Sequence, residues 1–261
     1  MSYSSIAAGH ALLANRVHSD SIRQALSVIP HRPSVVWFED GVDRQGEFHL
    51  DALLRTSRSS RVAVARSLDD PYVINYTSGT TGAPKGAIQS ERSNYVAGKN
   101  TAIISDAQRE DVFFHWEPFY HGAAWKVVMV ALQRGLKIHM VERFSASRLW
   151  NEIARADATK LHYLGGLVNI ILAQPQAESD CNNKVSIAWG GACPRESWRK
   201  FEEHFDLKVR EGYGLTEGQM FTHIKLRGVI GSIGTPIEQL DSWIADEQGK
   251  QVGPGVSERS C

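Results

Sequence analysis

From residue 70 onward the chain alternates between two hydrophobic patterns. Short apolar or β-branched runs give way to longer stretches whose apolar positions recur at helical spacing. The runs predict strands at Tyr72–Tyr76, Asp111–Trp116, Leu136–Val141, Leu161–Leu164, Ser186–Trp189 and Leu207–Arg210. Between them the pattern predicts helices over Ser93–Ile104, Ala123–Gln133 and Leu167–Ala173. Ser145 suits the N-cap of a helix carrying Leu149, Trp150 and Ile153. Pro194 sits near the start of a further helix running through Phe205. Strands and helices in alternation imply an α/β fold with much parallel pairing. Ligands of such sheets bind past the carboxyl ends of strands.

The first 70 residues are less patterned. Ser34–Phe38 reads as a strand, and Arg55, Arg58, Arg61 and Arg66 read as a solvated basic loop rather than a nucleic-acid contact. The chain therefore divides into residues 1–70 and a core over 71–261, with no internal repeat. Of the 261 residues 42% are hydrophobic, enough for a packed globule. Lys plus Arg and Asp plus Glu both number 29, so the formal charge of zero does not point to nucleic acid. No apolar run approaches the ~20 residues of a membrane span, and no signal peptide is seen. Cys181, Cys193 and Cys261 lack metal spacing and suit free thiols in a reducing compartment, so a cytoplasmic location is expected. Composition leaves the oligomeric state open.

Three segments carry chemistry. The first is Tyr76-Thr77-Ser78-Gly79-Thr80-Thr81-Gly82-Ala83-Pro84-Lys85-Gly86, directly after a strand-like run. Its glycines let backbone N–H groups converge on an anion, its hydroxyls add donors, and Lys85 adds a mobile positive charge. The order Pro84-Lys85-Gly86 differs from a Walker A loop, in which Gly-Lys-Ser/Thr leads straight into a helix. The second is Gly190-Gly191-Ala192, which permits close backbone approach or makes a plain turn. The third is Glu211-Gly212-Tyr213-Gly214-Leu215-Thr216-Glu217, with a planar ring and a hard carboxylate.

In this order, over about Asp70 to Gly255, the segments resemble those of the adenylate-forming superfamily. That family includes acyl-CoA synthetases, luciferases and peptide-synthetase adenylation domains. The resemblance implies the mostly parallel, layered β-α sheets of the family's large N-terminal domain. It implies ATP- and Mg²⁺-dependent activation of a small-molecule carboxylic acid, then transfer of the acyl group to coenzyme A. By resemblance, Thr77, Ser78, Gly79, Thr80, Thr81, Gly82 and Lys85 hold the β- and γ-phosphates. Gly190, Gly191 and Ala192 approach the purine, and Glu211, Gly212, Tyr213, Gly214 and Thr216 belong to the same nucleotide site, with Tyr213 against adenine. Thr81 and Glu217 are placed at Mg²⁺. Lys85, His121, Thr216 and Glu217 are the residues expected to act in catalysis.

His121 follows Glu117-Pro118-Phe119-Tyr120, similar to the Pro-x-x-His segment of acyl-CoA synthetases, whose histidine lines the acyl site. Peptide-synthetase domains usually carry an amino-group-binding aspartate there, so a simple acid is favoured over an amino acid. Trp116, Phe119, Tyr120 and Trp125 form either an apolar acyl pocket or ordinary core. Glu142–Trp150 resembles the crotonobetaine/carnitine–CoA ligase-like group, and Cys193 reads as a small buried residue. Measured against the family, less chain precedes the phosphate loop. After Val256 no ribose-binding aspartate, hinge or C-terminal small domain with its catalytic lysine is recognised. The large domain is therefore expected to be incomplete, with weak or no full turnover by this chain alone. The alternative is a non-catalytic remnant that binds a nucleotide or a partner.

Overall fold

Alternation along the strands decides which side chains meet. The computed structural model describes residues 9–39, 44–57, 63–77, 85–177, 180, 182–217, 221–227 and 229–253. They fall into two compact units, residues 1–66 with 76–86 and residues 67–75 with 87–261. In the first unit, β1 (Ala11–Ala14), β2 (Ser34–Trp37) and β3 (Glu47–His49) form a parallel sheet in that order. Helix α1 (Ser19–Ser27) sends Ile22 and Leu26 onto Ala14, Val35 and Trp37. Glu47 takes Arg23 at 2.8 Å and the Trp37 indole N–H at 3.0 Å, and the guanidinium holds its carboxyl at about 2. Helix α2 (Leu50–Thr56) carries Arg55, so that part of the expected basic loop is helical. Arg58 and Arg61 lie outside the described residues.

Two strands, β4 (Pro71–Thr77) and β5 (Lys85–Ser90), pair with each other. Ser90 then caps α3 (Glu91–Ser105) in a capping box with Ser93. The rest of the second unit follows as β6 (Val112–His115), α4 (Gly122–Arg134), β7 (Lys137–Met140), α5 (Leu149–Arg155), β8 (Lys160–Leu164) and α6 (Gly165–Leu172). It ends with β9 (Ile187–Gly191), α7 (Trp198–Phe205), β10 (Lys208–Tyr213), β11 (His223–Lys225) and β12 (Thr235–Pro236). Seven strands make one sheet in the order β12-β11-β10-β9-β8-β6-β7. Strands β10, β9, β8, β6 and β7 are parallel, β11 pairs antiparallel with β10, and β12 pairs antiparallel with β11.

Period-two alternation assigns each strand residue to one of two cores. Phe113, Ile187 and Trp189 face α3 and α4, where Ala102, Ile104, Val127 and Val130 cover them. Phe114, Leu161, Tyr163, Ala188 and Val209 face the other way, onto Trp150, Ile153, Val168, Phe201 and Phe205 from α5, α6 and α7. Helices on both faces of a mostly parallel sheet are the layered α/β architecture that the alternation predicts. Two local expectations fail. Ser145 does not cap α5, which begins at Leu149 with no side-chain cap; the Ser145 carbonyl instead accepts the Arg148 N–H in a turn. Pro194 also lies before its helix, since its carbonyl closes a turn onto Ser197 and Trp198. In both places a hydrogen-bonded turn takes up the residues that helical spacing had assigned to the first turn.

Candidate active site

Parallel register brings three strand ends together. Tyr163 of β8 stands beside Gly190 of β9, which stands beside Glu211 of β10. A Cβ on Gly190 would lie 1.9 Å from the Tyr163 carbonyl oxygen, and one on Gly165 1.7 Å from the Ala192 carbonyl oxygen. The chain turns sharply after Gly191, where Ala192 has a φ of 61°. That left-handed conformation is costly for a residue with a Cβ and persists only when held. Glu211 holds it. Its buried carboxylate accepts the Cys193 N–H at 3.1 Å, and the Ala192 amide also stabilises its charge. Lys225 of β11 lies 4.0 Å from the same carboxylate and stacks 3.7 Å above the Trp198 ring. Burial pushes the Glu211 carboxyl above its ordinary 4.5, while those amides and Lys225 pull it back. Burial also pushes the Cys193 thiol to about 12, which excludes it as a thiolate nucleophile at neutral pH and agrees with its reading as a small buried residue.

Beyond Glu211 the chain comes to the surface. Gly212 is buried beneath the Phe221 ring, whereas Tyr213 is 45% exposed with its ring edge-on to His223. The Tyr213 carbonyl accepts the Thr222 N–H at 2.8 Å. Gly214, Leu215 and Glu217 are exposed, and Thr216 is half-buried with its carbonyl accepting the Gln89 amide at 3.1 Å. Among the described residues no group of three or more His, Cys, Asp or Glu side chains could hold a metal. Glu217, the carboxylate expected at Mg²⁺, stands alone and exposed at the end of this segment.

The histidine segment forms a second constellation. Glu117 is buried, with one carboxylate oxygen 3.2 Å from His121 Nδ1 and the other 2.9 Å from His162 Nδ1. Burial works to raise the Glu117 carboxyl, but the His121 and His162 imidazoles beside its two oxygens outweigh it and hold the group at about 2. The hydrogen bond to Glu117 in turn raises His121, against its burial. His121 sits at the N-cap of α4 with its side chain half exposed. Beside it a cavity of about 220 Å³ is lined by Tyr72, Val73, Asn75, Phe119, Gly122 and Trp125. Phe119 and Trp125 thus line a pocket, while Trp116 packs on the core and donates its indole N–H to the His162 carbonyl. Tyr120 is 86% exposed and joins neither.

In the first unit, Thr77 ends β4 half-buried and Lys85 opens β5 exposed. Ser78, Gly79, Thr80, Thr81 and Gly82 lie outside the described residues. Motif reading missed Glu117, His162, Gln89 and Lys126. The Glu117–His121 spacing of four and the single charge in the run Ala123-Ala124-Trp125-Lys126-Val127-Val128 were available signals.

The chain matches the family model of AMP-binding enzymes over residues 8–257 and belongs to that family. It is 36% identical over 156 residues to long-chain fatty acid transport protein 2 of Rattus norvegicus, covering 58% of this chain and 24% of that protein. The chain spans about a quarter to a third of the length of the curated relatives it matches. The fold is similar to that of the anthranilate CoA ligase AuaEII in complex with anthranoyl-AMP, with a TM-score of 0.84 and 18% identity, over 96% of this chain and 50% of that one. It is also similar to ATP-bound MatB from Rhodopseudomonas palustris, with a TM-score of 0.80 and 21% identity, over 97% and 50%. The architecture is thus that of the large domain of adenylate-forming ligases, in a chain covering about half of those proteins. Among the described residues no helix is long and apolar enough to cross a membrane.

Proposed function

We propose that this chain carries the adenylating centre of an acid–thiol ligase. A carboxylate oxygen attacks the α-phosphorus of ATP, the bond to the bridging oxygen breaks, and pyrophosphate leaves. The sulfur of coenzyme A, having lost its proton, then attacks the acyl carbonyl, and AMP leaves. The observation that carries this reading is the junction at the ends of β8, β9 and β10. There, two glycines and a strained Ala192 turn, fastened from beneath by Glu211, lie one strand from the exposed face of Tyr213. Such a turn offers backbone without side chains, which suits the close approach of a flat purine, and Tyr213 offers it a ring face. Glu211 then acts as a positioning residue, because its carboxylate is occupied within the protein.

Phosphates bring charge that the enzyme must neutralise, and donors aimed where charge develops supply much of the rate. Thr77, Ser78, Gly79, Thr80, Thr81, Gly82 and Lys85 have that task, with Thr81 and Glu217 at the Mg²⁺ that accompanies ATP. His121, held by Glu117, stands at the mouth of the acid site, and the Phe119–Trp125 cavity takes an apolar acyl body. Acid-dependent exchange of labelled pyrophosphate into ATP tests the first half-reaction. The exchange should fall at least ~10²-fold in Lys85→Ala and in Glu217→Ala. Equal exchange in both variants and the parent would remove these residues from the centre.

A further inference from the structure

Helix α4 turns one lysine inward. Lys126 shares its helical face with Ala123, Val127 and Val130, and it is only 4% exposed. Its ammonium has no hydrogen-bond partner and no ion pair among the described residues; its nearest recorded company is the Phe221 ring, 5.0 Å away. Burial pushes it well below its ordinary 10.5, and Glu117 opposes this only at a distance. A buried cationic group with nothing to neutralise it is unfavourable unless something arrives to pair with it.

The surroundings show where a partner enters. Lys126 lines a small polar compartment with Asn75, Gln89, Asn94 and Thr216. By itself that compartment has room for about one water. Three of its walls, Asn75, Gly122 and Trp125, are also walls of the 220 Å³ aromatic cavity beside His121. The two cavities are therefore neighbours across shared walls, and the smaller one holds the unpaired Lys126 amine and neutral amides, with no carboxylate among the described lining residues. His121 stands at the N-cap of the same helix, five residues before Lys126, which is roughly 7.5 Å along the axis at 1.5 Å per residue.

We propose that Lys126 is a specificity residue that receives a second carboxylate at the far end of the acid, so that the preferred substrates are α,ω-dicarboxylic acids of medium length. This rests on reading the Phe119–Trp125 cavity as the acid site. The apolar walls contact the methylenes, one carboxylate stays near His121 for activation, and the other meets Lys126, Gln89 and Asn94. A plain fatty acid of equal length would leave the ammonium unpaired, so discrimination comes from a buried charge left without its match.

The test compares matched acids. Adipate and hexanoate, and suberate and octanoate, are titrated into the whole chain by calorimetry, for the parent, Lys126→Met and Lys126→Gln. Lys126→Met keeps the length and apolar stem of the side chain, and a thermal melt of each variant confirms folding. The parent should bind one dicarboxylate at least about tenfold more tightly than its monocarboxylate partner. Both variants should lose that preference while binding the monocarboxylate as well as before or better. A parent that favours the monocarboxylates, or a dicarboxylate preference that survives in folded variants, overturns the role of Lys126 and leaves the acid pocket standing. If no acid binds the folded parent, the pocket reading fails and the proposal fails with it.

Discussion

Glu211 reaches from β10 to the amide of Cys193, 3.1 Å away, and so fastens a turn in the neighbouring strand's exit that Ala192 could not hold unaided. The carboxylate is buried and one of its oxygens has no hydrogen-bond partner among the described residues. A charged group in that position stabilises only because the turn needs it. Glu211→Ala should cost about 1.5–3 kcal/mol, the range for a hydrogen bond to a charged group. Glu211→Gln keeps an oxygen for the Cys193 amide and should recover a good part of that loss. Urea denaturation of the two variants measures both. Equal losses would mean that charge, and not the turn contact, is what matters.

Close approach predicts the behaviour of Gly190. The obstacle to a side chain is the Tyr163 carbonyl of the adjacent strand, which cannot move without breaking the register between β8 and β9. Gly190→Ala should cost about 3 kcal/mol, the upper end of ordinary overpacking. Gly166→Ala has nothing within 4 Å of the new Cβ and serves as the control. Similar melting temperatures for the two would refute the packing account.

The Glu117–His121 contact makes stability depend on pH with a definite sign. His121 is raised above 6.5, so its share is complete below 6.5 and fades as pH climbs through the folded midpoint. Glu117 is lowered from 4.5 to about 2, so its share is complete above 4.5 and fades as pH falls towards 2. The stability difference between the parent and Glu117→Gln should therefore peak between pH 4.5 and 6.5. In an NMR titration the His121 midpoint should drop in Glu117→Gln. A difference that stays flat from pH 4 to 8 would show the contact to be energetically idle.

Local pattern made the fold legible. The strands from Asp111–Trp116 to Leu207–Arg210 announced themselves because each alternates large apolar residues between two cores, as Phe113 and Phe114 do. The segments proposed for the nucleotide could be picked out because glycine, tyrosine and carboxylate stand contiguous in the chain. What escaped depends on register and distance. Nothing near Tyr163 in sequence shows that its carbonyl meets Gly190, and the Glu117–His162 contact spans two strands. Lys126 escaped for another reason: a lone lysine in a helix is ordinarily assigned to solvent, and only packing shows that this one points inward. The Ser145 and Pro194 expectations failed because spacing marks a helical face but does not mark where the first turn closes.

The most direct test of the account is a calorimetric titration of the 261-residue chain with Mg²⁺-ATP, using Lys85→Ala as the comparison. It needs neither the identity of the acid nor the thiol. The account predicts saturable one-to-one binding by the parent, weakened at least about tenfold in Lys85→Ala through loss of a charge-assisted contact to phosphate. A folded parent that does not bind ATP, or that binds it equally with and without Lys85, would contradict it.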